Sequence, residues 1–168
     1  MPFSHFLQII EINLFEFNVF IIYIINYLLL LLVGLFIYKN IKLLFTLLSV
    51  DNNVVNIVAV YSSFLFILNP YNTEVINWFS AQSYLFCSLL FLISLNYYLK
   101  FKSKLVFLFV SIFLLLLSFL SKETSVFSLV LFITLEAVIF KETISNNLKT
   151  ISLYISVTVF YFILLFFS

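Results

Sequence analysis

The chain has 168 residues, of which 65% are hydrophobic, 21% aromatic and 9% charged, with a formal net charge of +1. A soluble domain of this size cannot bury so much apolar surface, so the composition predicts an integral membrane protein. The small net charge and the lack of a basic patch argue against a nucleic-acid partner. One His and one Cys exclude most transition-metal sites by count, so no metal site is predicted.

The hydropathy pattern predicts an all-α protein with two parts. Residues 1–17 are apolar but interrupted by polar side chains, and we expect an interfacial helix or the remnant of an outer loop. Residues 18–168 are predicted to form a transmembrane helical domain of six spans. The predicted spans cover residues 18–38, 53–68, 73–99, 105–120, 125–140 and 150–168. Residues 39–53 are predicted to form a connecting loop, with or without a short interfacial helix.

Three residues inside these spans have structural interpretations. Gly34 is the only glycine, so close packing is expected to depend on Ser, Ala and Thr instead. The one cysteine, Cys87, is interpreted as a small buried hydrophobe. Glu136 lies about one turn from the end of its span, and we expect its carboxylate to reach the membrane interface.

The lysines predict the orientation of the six spans. With six crossings, seven lysines fall on one side of the membrane and Lys122 alone falls on the other. The positive-inside rule then makes the lysine-rich side cytoplasmic. The N-terminus, residues 69–83 and residues 121–124 would face the lumen or periplasm. The seven are Lys39, Lys42, Lys100, Lys102, Lys104, Lys141 and Lys149.

The polar segment 69–83, NPYNTEVINWFSAQS, separates two apolar stretches. One helix is predicted from residue 73 to residue 99, about 40 Å long at 1.5 Å per residue. That length exceeds a hydrocarbon core of about 30 Å, so the first two turns should stand clear of the acyl chains. Glu74, Trp78 and Gln82 recur at every fourth residue and would share one face. We expect part of a site there.

Each of these side chains also has a purely structural interpretation. Glu74 suits the first turn of a helix, where the helix dipole favours an acid. Trp78 is typical of an interfacial anchor as well as of a sugar-stacking platform. Lys122 and Glu123 belong to the polar hairpin 121–124, where both charges can simply be solvated. Alternatively, Lys122 binds a lipid phosphate, and Glu123 orients it or binds a sugar hydroxyl.

Three short motifs, taken in order, resemble a known family. Pro70, Glu74 and Trp78 match a pattern of Pro, then Glu and an aromatic residue at intervals of four. Residues 120–123 read Leu-Ser-Lys-Glu, and Asn18 opens a span after an outer loop. This arrangement, over about residues 14–140, resembles polyprenyl-phosphate-dependent membrane glycosyltransferases of the protein O-mannosyltransferase type, which have the C-type glycosyltransferase fold.

The resemblance implies transfer of a sugar from a polyprenyl-phosphate carrier to an acceptor on the lumenal or periplasmic face. No other cofactor is identified from the sequence. Lys122 would stabilise the departing lipid phosphate, while Glu74, Trp78, Gln82 and Glu123 would line the sugar or phosphate pocket. Asn69 and Gln82 stand where the family usually has His and Arg. No residue is assigned as the catalytic base, because the family's first helix and most of its first outer loop have no counterpart. We therefore expect a fragment that is inactive alone.

The competing interpretation is a non-enzymatic membrane protein with lipid and protein partners: a truncated remnant, a scaffold subunit or a transporter component. A transporter would ordinarily show polar or interrupted helices at the middle of the membrane. The predicted spans are mostly uninterrupted, which argues against that last case.

Overall fold

The computed structural model describes residues 2–16, 18–100, 105–138 and 144–166. Within these residues the chain is helical and has no strand, which confirms the predicted all-α class. Short 3-10 helices cover Phe79–Ala81 and Glu123–Phe127. The predicted basic loop with Lys102 and Lys104 lies outside the described residues, as does Lys141. The α-helices are α1 Pro2–Phe15, α2 Val19–Leu47, α3 Asn52–Ile67, α4 Asn72–Asn77, α5 Gln82–Lys100, α6 Leu105–Ser121, α7 Ser128–Val138 and α8 Ile144–Phe166.

Helix α2 is longer than the sequence predicts. Asn18 caps it, because its side-chain oxygen accepts hydrogen bonds from the backbone nitrogens of Phe20 at 3.1 Å and Ile21 at 3.4 Å. The helix then continues to Leu47, so the predicted loop over residues 39–53 is wrong for most of its length. Lysine and asparagine are compatible with a helix interior, and their polarity marks the border of the apolar stretch rather than the helix end.

Helices α3 and α6 agree with the predicted spans 53–68 and 105–120 to within one residue at each end. Helix α3 packs against α2 at Gly34, where a Cβ atom would lie 2.5 Å from Ile67 Cδ1. Ala59, on the same helix, is fully buried. The sole glycine thus provides a close contact between helices, which the sequence predicts from Ser, Ala and Thr instead.

The predicted single helix over residues 73–99 is wrong. Helix α4 ends at Asn77, and Trp78 has an extended backbone with φ −105° and ψ 116°. A 3-10 turn follows, and α5 begins only at Gln82. Consequently the three residues predicted to share a face are separated: Glu74 and Trp78 are exposed, while Gln82 is completely buried.

Hydroxyl and amide groups lie between the helices. Ser94 Oγ donates to the carbonyl oxygen of Ser111 at 2.7 Å, and Ser111 Oγ donates to that of Ser94 at 2.8 Å. The hydroxyl of Tyr154 on α8 lies 2.9 Å from Ser111 Oγ. Between α2 and α5, Asn96 Nδ2 donates to Asn40 Oδ1 at 2.9 Å. Buried polar groups thus join the helices to one another.

An aromatic cluster fills the space between α5, α7 and α8. Phe132 stacks on Tyr154 with ring centroids 4.6 Å apart, and Tyr98 meets Phe132 edge-on at 4.9 Å. Glu136 lies one turn beyond Phe132 on α7 and is only 2% exposed. The expectation that its carboxylate reaches the interface is therefore wrong, because tertiary packing encloses it among the helices.

The outer surface is rich in large apolar side chains. Phe20 on α2 is 71% exposed and Leu65 on α3 is 70% exposed. Val19–Leu47 and Phe79–Lys100 are long and apolar enough to cross a membrane, judged by length and composition. Shorter apolar helices cover Asn52–Ile67, Leu105–Ser121 and Ile151–Leu164. Within the described ranges the structure thus provides two full-length membrane-spanning candidates, whereas the sequence predicts six spans.

Candidate functional site

Helix α1 carries polar side chains on the face that it packs against the rest of the chain. Ser4 Oγ donates to the carbonyl oxygen of Ser121 at 3.0 Å. One turn later, Gln8 Nε2 donates to the carbonyl oxygen of Phe79 at 3.0 Å. Glu11 comes next on the same face at helical spacing. Helix α1 therefore joins the polar segment 69–83 to the end of α6, and all three lie at one end of the bundle.

Gln82 and Glu11 form a hydrogen-bonded side-chain pair at this end. Gln82 Nε2 lies 3.0 Å from Glu11 Oε1 and 2.8 Å from Oε2, and it donates to the carboxylate. Burial desolvates Glu11 and raises its pKa above the ordinary 4.5, while the hydrogen bond from Gln82 acts in the opposite direction. No role is predicted for Glu11 from the sequence. The signal that identifies it is the polar spacing Ser4, Gln8, Glu11 in an otherwise apolar helix.

A buried asparagine on α2 holds the C-terminal end of α4 in place. Asn26, in the N-terminal third of α2, is fully buried, and its Nδ2 donates to the carbonyl oxygen of Ile76 at 2.9 Å. Because Ile76 is in the last turn of α4, this bond satisfies a carbonyl near the point where the helix is interrupted. The interruption is thus supported by side chains from two other helices, Asn26 from α2 and Gln8 from α1.

A groove of about 370 Å³ opens beside the polar segment 69–83. Three elements line it: the end of α3 with α4, the first turns of α5, and the segment after α6. Its polar groups are one amide, four aliphatic hydroxyls and the phenol of Tyr84. The rest of the lining is mainly apolar. The lining residues are Phe66, Asn72, Val75, Tyr84, Leu85, Cys87, Ser88, Phe91, Thr124, Ser125 and Ser128.

Lys122 lies beside this groove. Its Nζ is 4.2 Å from the centroid of the Tyr84 ring, within the range of a cation–π contact, and Tyr84 lines the groove. The carbonyl oxygen of Lys122 accepts hydrogen bonds from both the backbone nitrogen and the hydroxyl of Ser125, at 3.1 and 2.7 Å. These bonds hold the backbone of Lys122, while the contact with the Tyr84 ring holds its ammonium.

The remaining predicted site residues lie apart from the groove. Glu74, Trp78 and Glu123 are exposed, and none of them lines it. Gln82 is buried against Glu11 rather than facing the groove. The structure therefore brings Lys122 to the groove and Gln82 to a carboxylate, but it does not bring the five predicted residues together in one pocket.

Comparison with protein-family models, with curated proteins and with solved structures finds no match. The function must therefore be argued from the site. Among the residues that the structure describes, no group of three or more His, Cys, Asp or Glu side chains is arranged to hold a metal ion. The chemistry available at the groove is that of one ammonium, several hydroxyls and an apolar wall.

Proposed function

We propose that this chain is a multi-pass membrane protein with six spans: α2, α3, α5, α6, α7 and α8. The apolar side chains exposed on its outer surface support this, since monomeric soluble proteins rarely expose large apolar patches. Helices α3 and α6 are about 25 Å long, somewhat less than the hydrocarbon core. Helix α7 and the 3-10 turn before it together extend about 26 Å. Spans of this length fit a locally thinned bilayer.

Contacts at the two ends of the bundle support a chain whose successive spans cross the membrane in opposite directions. Helix α1, the polar segment 69–83 and the hairpin 121–124 meet at one end through the bonds of Ser4 and Gln8. Helices α2 and α5 are joined near the other end by Asn40 and Asn96. The proposed orientation follows the lysine distribution, with the Lys122 end facing the lumen or periplasm.

The groove beside Lys122 is proposed to bind a polyprenyl-phosphate sugar carrier. The observation that carries this proposal is the ammonium of Lys122 beside an apolar groove of about 370 Å³. The apolar wall suits an isoprenoid chain, and the ammonium suits its phosphate. The hydroxyl of Thr124, in the same lining, suits one of the remaining phosphate oxygens or the first sugar.

In this proposal the chain is the donor-binding core of a glycosyltransferase. Transfer requires a base for the acceptor, a displacement at the anomeric carbon and departure of the lipid phosphate, which Lys122 stabilises. Glu74, Trp78 and Glu123 are exposed at the same end of the bundle, where an acceptor would approach.

A specific observation favours a second candidate, a protein that binds the carrier without transferring its sugar. Among the residues that the structure describes, no carboxylate lines the groove, and the nearest acids along the chain, Glu74 and Glu123, are exposed outside it. A lipid-binding subunit without a catalytic base fits this arrangement as the non-enzymatic alternative. Carrier binding is common to both candidates, and only turnover separates them.

The test is direct binding of undecaprenyl phosphate to the purified protein in detergent. A charge-assisted contact contributes about 1.5–3 kcal/mol, so Lys122→Gln should weaken binding about tenfold or more. Lys42→Gln removes the same charge elsewhere and should leave binding unchanged. Absence of binding by the wild type, or equal binding by both variants, refutes the proposal. Sugar release from a mannosyl-phosphate carrier then separates the enzyme from the binding subunit.

A further inference from the structure

Helix α1 turns its polar side toward the bundle and its large apolar side chains away from it. The polar side consists of Ser4, Gln8 and Glu11, each hydrogen-bonded to a distant part of the chain. The large apolar side chains that point outward are between 37% and 67% exposed. They are Phe6, Ile9, Ile10 and Leu14. This distribution is the reverse of that on a surface helix of a water-soluble protein, whose apolar side faces the core.

Helix α1 lies at the ends of three helices of the bundle. Ser4 contacts the last residue of α6, and Gln8 contacts Phe79, which precedes α5. The C-terminal end of α1 is four residues from Val19, where α2 begins. Val19 and Phe79 also begin the two segments that are long and apolar enough to cross a membrane, judged by length and composition. Helix α1 therefore lies at the level where both segments enter the proposed membrane.

Helix α1 runs across these helix ends rather than along the bundle. From Ser4, at α6, to Phe15, near the start of α2, the helix extends about 16 Å at 1.5 Å per residue. Helix α5 packs against both α2 and α6. Because packed helices lie about 8–10 Å apart, the distance from α6 across α5 to α2 is at most about 16–20 Å. The two lengths agree, so α1 lies in the plane of the proposed membrane. Glu16, with a φ of 49°, ends α1 and lets the chain turn before α2.

The two flanks of α1 beside its polar side differ from each other. At 3.6 residues per turn, Leu14 lies about 90° to one side of the polar side, and His5 lies about 90° to the other. Phe6 and Ile10 precede Leu14 at intervals of four, so they form an exposed apolar stripe with it. His5 is exposed on the opposite flank. An amphipathic helix at a membrane surface needs one apolar flank and one polar flank, and α1 has both.

Aromatic side chains typical of a membrane interface lie at the same level as α1. Trp78, adjacent to Phe79, is exposed, and so is Tyr84 in the first turn of α5. Trp and Tyr are enriched at the level of the lipid headgroups. Residues 2–15 contain no Lys or Arg, so α1 offers no basic side chain to anionic headgroups. Its contact with a membrane would therefore be apolar.

We propose that α1 is an in-plane interfacial helix whose apolar stripe inserts into the outer leaflet, while His5 remains among the headgroups. The inference rests on the proposed membrane location of α2 and α5 and is independent of carrier binding. Such a helix buries its apolar face about 5–10 Å into the boundary between headgroups and acyl chains. Because Ser4 bonds to Ser121, next to Lys122, α1 also holds the groove beside Lys122 at headgroup depth.

The experiment measures fluorescence quenching in the full chain reconstituted into phosphatidylcholine vesicles. Trp78→Phe removes the only tryptophan, and new single tryptophans then replace exposed residues. Leu14→Trp reports on the apolar stripe and His5→Trp on the opposite flank. Phosphatidylcholine brominated near the top of its acyl chains should quench Leu14→Trp at least about twofold more than His5→Trp. Acrylamide in the aqueous phase should quench the two variants in the reverse order.

The matched control is Leu28→Trp in the same background. Leu28 is exposed on α2 and lies about 14 Å along the helix from Val19, close to the middle of a hydrocarbon core of about 30 Å. Phosphatidylcholine brominated near the middle of its acyl chains should quench it. If Leu28→Trp is quenched by brominated lipid and Leu14→Trp is not, the inference about α1 fails while the membrane location stands. Without quenching of Leu28→Trp, the membrane location fails and this inference fails with it.

Two further outcomes would overturn the inference. Equal quenching of Leu14→Trp and His5→Trp by acrylamide would show that the apolar stripe lies in water. Protection of Leu14→Trp from both quenchers would show that a protein, such as a second copy of the chain, covers the stripe. Vesicles with added phosphatidylglycerol should give the same quenching as phosphatidylcholine alone. Quenching that requires phosphatidylglycerol would contradict an apolar contact.

Discussion

Gln82 donates hydrogen bonds to both carboxylate oxygens of Glu11, at 3.0 and 2.8 Å. Their separation of 71 positions makes this a contact between the N-terminal helix and the first residue of α5. Gln82 is completely buried, and desolvation by burial raises the pKa of Glu11. The pair therefore fixes α1 to the bundle in a way that depends on the protonation of one carboxyl group.

The stability of the protein should depend on pH through Glu11. Because its pKa in the folded state lies above the ordinary 4.5, the folded protein holds this proton more tightly than the unfolded chain does. Its contribution is fully present below about pH 4.5 and is lost as the pH rises through the raised pKa. Thermal unfolding followed by the fluorescence of Trp78, the only tryptophan, should show this loss.

Glu11→Gln should remove this part of the pH dependence, since the amide does not titrate. Glu74→Gln is the matched control, because Glu74 is exposed and its substitution should preserve the wild-type slope. Parallel pH profiles for wild type and Glu11→Gln would contradict the role given to the Glu11–Gln82 pair.

Helices whose limits coincide with a change in hydropathy were predictable from the sequence. Helices α3 and α6 are apolar stretches between polar residues, so their ends follow the composition. Helix α2 exceeds its prediction because a helix does not stop where its apolar stretch stops. A break at Trp78 has no local signal, since no glycine or proline is nearby. The carbonyl groups around it are satisfied by Asn26 and Gln8, which come from distant parts of the chain.

The candidate site was predictable only where charge alone identifies a residue. Lys122 stands out as the single lysine on its side in the predicted topology, and its ammonium lies beside a groove. The burial of Glu136 and the pairing of Glu11 depend on which helices pack together. Periodicity within one helix carries no information on that packing, so both were missed.

Gly34→Ala should destabilise the contact between α2 and α3. The new methyl group would lie 2.5 Å from Ile67 Cδ1 and 2.7 Å from Cγ1, so the side chain must move. Overpacking of this kind costs about 1–3 kcal/mol. Combining Gly34→Ala with Ile67→Ala removes both obstructing atoms. The double variant should therefore lose less unfolding free energy than the sum of the losses of the two single variants. Strictly additive unfolding free energies would show that the two residues do not meet.

The six-span topology predicts that the two ends of the bundle are labelled from opposite sides of the membrane. In a Cys87→Ser background, single cysteines at Tyr71 and Leu48 offer exposed positions at the two ends. A membrane-impermeant maleimide should reach Tyr71→Cys from the lumenal or periplasmic side and Leu48→Cys from the cytoplasmic side. Labelling of both from the same side would contradict the proposed topology.

Tyr84 should position Lys122 through its ring. Exposed cation–π contacts contribute about 0.5–1 kcal/mol, so Tyr84→Leu should weaken undecaprenyl phosphate binding about two- to fivefold. Tyr84→Phe keeps the ring and loses only the hydroxyl, and it should bind like the wild type. If both substitutions weaken binding equally, the hydroxyl of Tyr84 is the group that matters, not its ring.

The reciprocal bonds between Ser94 and Ser111 have a consequence for biosynthesis. Each hydroxyl donates to the carbonyl oxygen of the other residue, across only 17 positions. In the proposed membrane protein, α5 and α6 can therefore leave the translocon as a helical hairpin whose serine hydroxyls are already satisfied. Tyr154 joins Ser111 only after α8 has been synthesised. Insertion of this pair need not wait for the rest of the chain, and α8 then docks onto a hairpin that is already in place.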